Sequence, residues 1–230
     1  MIRALIFDCD GTLADNETFH FHAFNEALHG EAVALTLAEY QQVMAPDDAA
    51  IRGALALKGR GGDPAKVSAL VEAKRAAYRR SLAAGVSPVP GAADFVRRAA
   101  KTYLLAVASG AWSDEVGPIL DHLGVRDCFR ALVTKEDCPV GKPDPAPFLL
   151  ALERLNASAP APEPALSARD CLVFEDTPFG IAAARAAGMR SVGLTTSFSG
   201  DALRDADLVA QNFRALDLGR MTAFFDRRAR

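Results

Sequence analysis

Ala4-Leu-Ile-Phe-Asp8-Cys-Asp10-Gly-Thr-Leu13 decides the fold of this chain, because a short apolar run leads directly into two carboxylates two positions apart. The run reads as a short apolar strand. Carboxylates so close repel unless a cation sits between them. Magnesium is the natural candidate, since it takes oxygen ligands and keeps water and phosphate oxygens in its remaining positions. One carboxylate could then attack a phosphoryl group while the other moves protons. Gly11 and Thr12 add a turn whose N–H groups can face an anion. Taken alone, an Asp-x-Asp pair is more often a strand end with two solvated acids. The rest of the chain argues otherwise.

Three further stretches repeat the pattern. Residues 104–108, Leu-Leu-Ala-Val-Ala, read as a strand, and Ser109-Gly110 follows it before a helix beginning near Ser113. A hydroxyl and free amides there can hold a phosphate. Lys142 lies in Gly141-Lys-Pro-Asp-Pro145, ahead of a helix over residues 146–155, and the two prolines stiffen the approach and aim the ammonium. Residues 171–174, Cys-Leu-Val-Phe, form another apolar run that ends in Glu175-Asp176 and is followed by a helix over residues 181–187. Ligands in open parallel α/β sheets bind beyond the carboxyl ends of the strands, so the four motifs should meet in one crevice.

The ordered set, from Leu5 to about Asp207, resembles the haloacid dehalogenase superfamily. The resemblance implies an α/β fold, a Rossmann-like parallel sheet flanked by helices, and hydrolysis or transfer of phosphoryl groups. It implies that Asp8 is the nucleophile that becomes an aspartyl-phosphate and that Asp10 is the general acid/base. Ser109, Lys142 and the Glu175-Asp176 pair match the second, third and fourth motifs, with Gly11, Thr12, Ser109, Gly110 and Lys142 expected around the phosphate. The implied cofactor is Mg2+, held by the side chains of Asp8 and Asp176, by the backbone carbonyl of Asp10, and by Glu175 directly or through water. The chemistry asks for the same inventory, since phosphate monoester hydrolysis needs on the order of 20 kcal/mol of barrier lowering. Cation, lysine and hydroxyl donors can neutralise the charge spread over the transferring group.

Between Ala14 and Pro88 the βα alternation gives way to helices only, so the core is expected at residues 1–14 and 89–230 and an inserted α-helical cap at 15–88. Helices are expected over residues 18–29, 37–44 and 64–82, the last with Val67, Leu70, Val71, Lys74, Tyr78 and Leu82 on one stripe. An insert at this place resembles the small cap of the β-phosphoglucomutase-like branch. Lys74 has two readings: a lysine whose stem lies along the cap surface, or a cation that touches the substrate. His20 either lines the hinge or decorates the helix surface. Lys58-Gly-Arg-Gly-Gly-Asp63 follows a helical run instead of a strand and reads as a turn, not a phosphate loop. Asp47 and Asp48 stand about where such caps carry a phosphate-binding arginine.

The reading is a phosphatase of a small phosphorylated metabolite, most simply a sugar phosphate. A phosphomutase would use the same four motifs. A phosphoacceptor receiver module would share the acids and lysine at strand ends, but lacks the insert and the Asp-x-Asp-Gly-Thr spacing. A chain of 230 residues holds one core and a modest insert, and a net charge of −3 gives no reason to expect nucleic acid. No stretch is apolar and long enough for a signal or membrane segment, so a cytoplasmic protein is expected, and a monomer is expected as its state. The four cysteines have no paired metal spacing, and Cys9 should point away from the two aspartates as a small buried residue. Residues 157–168, with three prolines, read as a stiff loop, and residues 220–230, rich in arginine, as a solvated tail.

Overall fold

The computed structural model describes residues 1–43 and 47–227. It divides into two compact units, Met1–Asp15 together with the chain from Ser87 on, and Asn16–Val86.

The first unit is built on β1 (Ala4–Phe7), whose four residues are all buried. It pairs in parallel with β2 (Leu104–Ala108) on one side and β4 (Cys171–Glu175) on the other, so that Phe7 lies between Val107 and Phe174. With β3 (Ala131–Val133), β5 (Arg190–Leu194) and β6 (Leu208–Ala210), the parallel sheet has the order β3-β2-β1-β4-β5-β6. The chain winds one way from β1 to β3, then returns to the other side with β4. The crevice of such a sheet opens where the order reverses, between β1 and β4.

Side chains alternate across the strands, so each face has its own core. Ala4, Ile6, Ala106, Ala108 and Val173 face Phe148, Ala151 and Leu155 of α7 (Ala146–Asn156) and Ala183 and Ala184 of α8 (Pro178–Ala186). On the opposite face, Phe7 and Phe174 stack with ring centres 4.7 Å apart, while Phe95 of α5 (Ala92–Ala99) meets Phe174 edge-on at 5.3 Å. Phe213 closes this cluster at 4.9 Å from Phe95. Aromatic pairs of this kind contribute roughly 0.5–1.5 kcal/mol beyond their buried area. Helix α6 (Ser113–His122) follows β2. Helix α8 begins three residues before the expected start, because the Thr177 hydroxyl accepts from Gly180 N at 3.0 Å and Pro178 suits a first helical turn.

The expected solvated tail is instead a helix, α9 (Leu218–Arg227), with Met221, Thr222 and Phe225 buried. Thr222 Oγ1 accepts from the Tyr103 hydroxyl at 3.1 Å, and Asp226 accepts from Ile2 N at 2.8 Å. The arginines mask an apolar pair at helical spacing, and burying Phe225 outweighs fraying at a chain end. Residues 228–230 of that reading lie outside the described residues.

The second unit consists of α1 (Glu17–Leu28), α2 (Leu37–Val43), α3 (Asp47–Leu57) and α4 (Pro64–Ala84). Phe24, Leu28, Tyr40, Ile51, Leu55, Val67, Leu70 and Val71 form its core. Lys58–Asp63 is the turn between α3 and α4, where the Asp63 carboxylate caps α4 by accepting from Lys66 N at 2.8 Å. The expected helix end at Met44 and the reading of the Asp47 side chain fall outside the described residues. No helix among the described residues is long and apolar enough to cross a membrane.

Candidate active site

The register sets the first motif beside the fourth. Phe7 pairs with Phe174, and Asp8 N, one residue on, donates to the Phe174 carbonyl at 3.0 Å. Asp8 therefore leaves β1 level with Glu175 of β4. Lys142 joins them: its Nζ donates to Asp8 Oδ1 at 2.5 Å and to Glu175 Oε1 at 2.7 Å. Its side chain is 12% exposed and its ammonium lies 5.0 Å from the centre of the Phe148 ring. The loop that carries Lys142 is pinned at its start. Asp137 accepts from the N–H and hydroxyl of Thr134, and Arg154 of α7 donates to Asp137 at 2.6 Å and to the Leu132 carbonyl. Asp144 caps the other end by accepting from Ala146 N at 2.8 Å.

Glu175 is folded under the first turn of α8. Its Oε2 accepts from Asp176 N, Thr177 N and the Thr177 hydroxyl, each at 2.9 Å. A Cβ at Gly180 would lie 1.9 Å from the Glu175 carboxylate, so the turn must carry glycine there. Next to it, Asp176 Oδ1 accepts from the Thr12 hydroxyl at 3.2 Å. Gly11 has φ +77°, and a Cβ there would lie 1.9 Å from Asp176 Oδ2, so conformation and space both demand glycine. The turn is held by Gly11 N donating to the Ala14 carbonyl and by the Thr196 hydroxyl donating to the Gly11 carbonyl. Ser109, at the end of β2, is buried and accepts from Ala111 N at 3.1 Å, which leaves its own proton to give. Gly110 beside it is exposed.

Asp8, Glu175 and Asp176 are all buried. Burial pushes the Asp8 carboxyl up to about 7; Lys142 draws it down, while Glu175 and Asp10 repel it further. Burial works against the charge on Lys142, yet Asp8 and Glu175 lift its pKa above the usual lysine range, so it stays protonated. Lys142 pairs with Asp8 and Glu175, while Asp10 lies near enough to Asp8 to repel it and Asp176 follows Glu175, so the acids outnumber the lysine and the imbalance suits a further cation. Among the described residues no three His, Cys, Asp or Glu side chains close into a metal cage. Magnesium does not need one, since it commonly keeps several waters and takes one or two carboxylates plus substrate oxygens. The donors present are all hard oxygens, and they fit it. The thiol of Cys9 is buried, and burial, then Asp10 and Asp8, push its pKa above the ordinary value, which disfavours the thiolate.

Thr177, Thr196 and Ser197 were not expected here from the sequence. The signal for the last two was the hydroxyl-rich run Thr195-Thr196-Ser197-Phe-Ser199 directly after β5, a fifth strand end.

The helical unit holds the other candidates. Lys74 is 4% exposed, with its Nζ 5.5 Å from the ring centres of both Phe24 and Tyr78. This corrects the reading of a lysine lying along the surface: the two rings form a cation–π seat for it. His20 stacks on Tyr78 at 3.8 Å, and Asn16 Nδ2 donates to the Tyr78 hydroxyl at 3.4 Å.

The pattern of haloacid dehalogenase-like hydrolases matches residues 2–188. The chain is 32% identical over 226 residues to protein CbbY of Rhodobacter capsulatus, covering 94% of each. It is 34% identical over 192 residues to fructose-1-phosphate phosphatase YqaB of Escherichia coli, covering 82% of this chain and 94% of that one. Among solved structures, β-phosphoglucomutase from Clostridium difficile superposes with a TM-score of 0.86 over 100% of this chain and 99% of its own, at 21% identity, a likeness of fold.

Proposed function

This chain belongs to the haloacid dehalogenase-like hydrolases, and we propose that within them it is a magnesium-dependent phosphatase of a small phosphorylated sugar. It is a phosphoric monoester hydrolase; the cation, the residue roles and the sugar are our reading. The observation that carries it is Lys142 Nζ seated between Asp8 and Glu175 at the switch point of the sheet.

In the proposed reaction an Asp8 carboxylate oxygen attacks phosphorus, and the bond from phosphorus to the sugar oxygen breaks. Asp10 gives that oxygen its proton. Asp10 then takes a proton from water, whose oxygen attacks the aspartyl-phosphate at phosphorus, releasing inorganic phosphate and restoring Asp8. Lys142, the Ser109 hydroxyl and the N–H of Gly110 hold the phosphoryl oxygens, donors in place before the charge develops; the N–H groups of Gly11 and Thr12, expected there from the sequence, are already given to the Ala14 and Cys9 carbonyls. Magnesium, held by Asp8, Asp176 and the Asp10 carbonyl with Glu175 behind them, would supply positive charge against the phosphoryl oxygens. Glu175 holds Lys142 in place. Lys74 is the helical unit's candidate for contact with the substrate.

The sugar is supported by the name of the Escherichia coli relative. A phosphomutase shares the fold, but must also hold a second phosphate. The test is release of inorganic phosphate from fructose 1-phosphate, other sugar phosphates, phosphoglycolate and nucleotides, with magnesium and with chelator. Turnover on a sugar phosphate that chelation stops is expected. Full activity after exhaustive chelation would remove the metal from the account. Steady conversion of β-glucose 1-phosphate to glucose 6-phosphate, outpacing phosphate release, would make the enzyme a mutase.

A further inference from the structure

We propose that Ser197, at the end of β5, is a positioning residue for the cation, donating from its hydroxyl to the outer shell around Asp176. The inference rests on the magnesium reading above. Its motif is one the four strand ends of the reaction leave unused.

Two observations converge on Ser197. The first is its surroundings: a Cβ placed at Gly11 would lie 1.9 Å from Asp176 Oδ2 and 2.6 Å from Ser197 Oγ, so both oxygens crowd the same bare face of Gly11. The second is its bonding: Ser197 Oγ is sealed from solvent and makes no hydrogen bond among the described residues. A buried hydroxyl without a partner costs folding free energy, and such groups are rare unless a function retains them. The neighbouring hydroxyl does the structural work, since Thr196 Oγ1 donates to the Gly11 carbonyl.

Asp176 Oδ1 accepts from Thr12 Oγ1 at 3.2 Å. A carboxylate that ligates a metal is commonly oriented by outer hydrogen bonds, and those partners weigh on metal affinity. Ser197 lies on the Oδ2 side, where it can donate to that oxygen or to a water of the cation's shell. The shared chemistry is one hydroxyl proton offered to negative charge beside the cation. It leaves the fold of the turn to Thr196.

The two roles separate by experiment. For the full chain and for Ser197→Ala, magnesium binding is titrated by calorimetry without substrate, and thermal melting is followed in chelator. We expect Ser197→Ala to bind magnesium about tenfold or more weakly than wild type, with a melting temperature in chelator equal to or above wild type, because the variant sheds an unsatisfied group. Thr196→Val should do the reverse and lower the melting temperature in chelator. Unchanged magnesium affinity in Ser197→Ala overturns the inference, and so does a fall in its melting temperature in chelator, which marks a structural hydroxyl. Wild type that binds no magnesium at all overturns the metal reading and this inference with it; binding by wild type and variant alike overturns only this inference.

Discussion

Asp8 and Asp10 are separated by one buried cysteine, and their surroundings differ in the way the proposed roles require. Asp8 is pinned at β1's end by Lys142, which suits a nucleophile that must not wander. Asp10 lies where the chain turns, in an isolated bridge to Ala14, and is partly exposed, which suits a group that exchanges protons with water. Asp10→Asn should slow hydrolysis of a sugar phosphate by at least about a hundredfold, the weight of a positioned acid/base. With p-nitrophenyl phosphate, whose leaving group needs little protonation, the loss should be smaller. Steady-state kinetics on both substrates check this. Undiminished turnover on both would remove Asp10 from the chemistry.

At the scale of elements, the site depends on how two junctions are built. Where β4 meets α8, Glu175 reaches Lys142 only because Gly180 leaves its carboxylate room under the helix. Gly180→Ala should displace Glu175 and loosen Lys142, so kcat should fall at least about tenfold while circular dichroism still reports a folded protein; kcat like wild type would refute the coupling. The loop from β3 to α7 depends on Asp137, whose pKa is held down at about 2, chiefly by the hydrogen bond from Arg154 and then, against the cost of burial, by Thr134. A lowered pKa means that the carboxylate stabilises the fold above its unfolded value of 3.8 and ceases to as pH falls from about 4 towards 2. The pair is partly exposed and screened, so Asp137→Asn should cost on the order of 1 kcal/mol at neutral pH. Urea denaturation should show that gap steady from pH 7 to 5 and shrinking below about 4. The sequence showed β4 before the first junction, because an apolar run is a local signal, but neither β3 before the second nor what braces either one. Gly180 falls just ahead of the helix expected over residues 181–187, with nothing in the sequence to mark the carboxylate it makes room for, and the Arg154–Asp137 pair joins residues on separate elements.

For the whole molecule, the central strands and the ordered motifs were legible because each is a short apolar run closed by a polar turn. Strands β3 and β6, three residues each, and helix α9 were not, since short edge strands and an arginine-rich end hide their apolar pattern. Lys74 shows the same limit: spacing placed it on an apolar stripe, but only packing put it between Phe24 and Tyr78. Thr196 and Ser197 were missed because hydroxyls after a strand are common, and only the fold sets them beside Gly11. The central claim is that these distant pieces assemble around a phosphoryl group carried by Asp8. It is tested most directly by a crystal structure of the wild-type protein soaked with magnesium and beryllium fluoride, which mimics an aspartyl-phosphate. The account predicts a tetrahedral adduct on an Asp8 carboxylate oxygen with Lys142 and Ser109 donating to its fluorines; an adduct on Ser109 or on a cysteine, or none on Asp8, would contradict it.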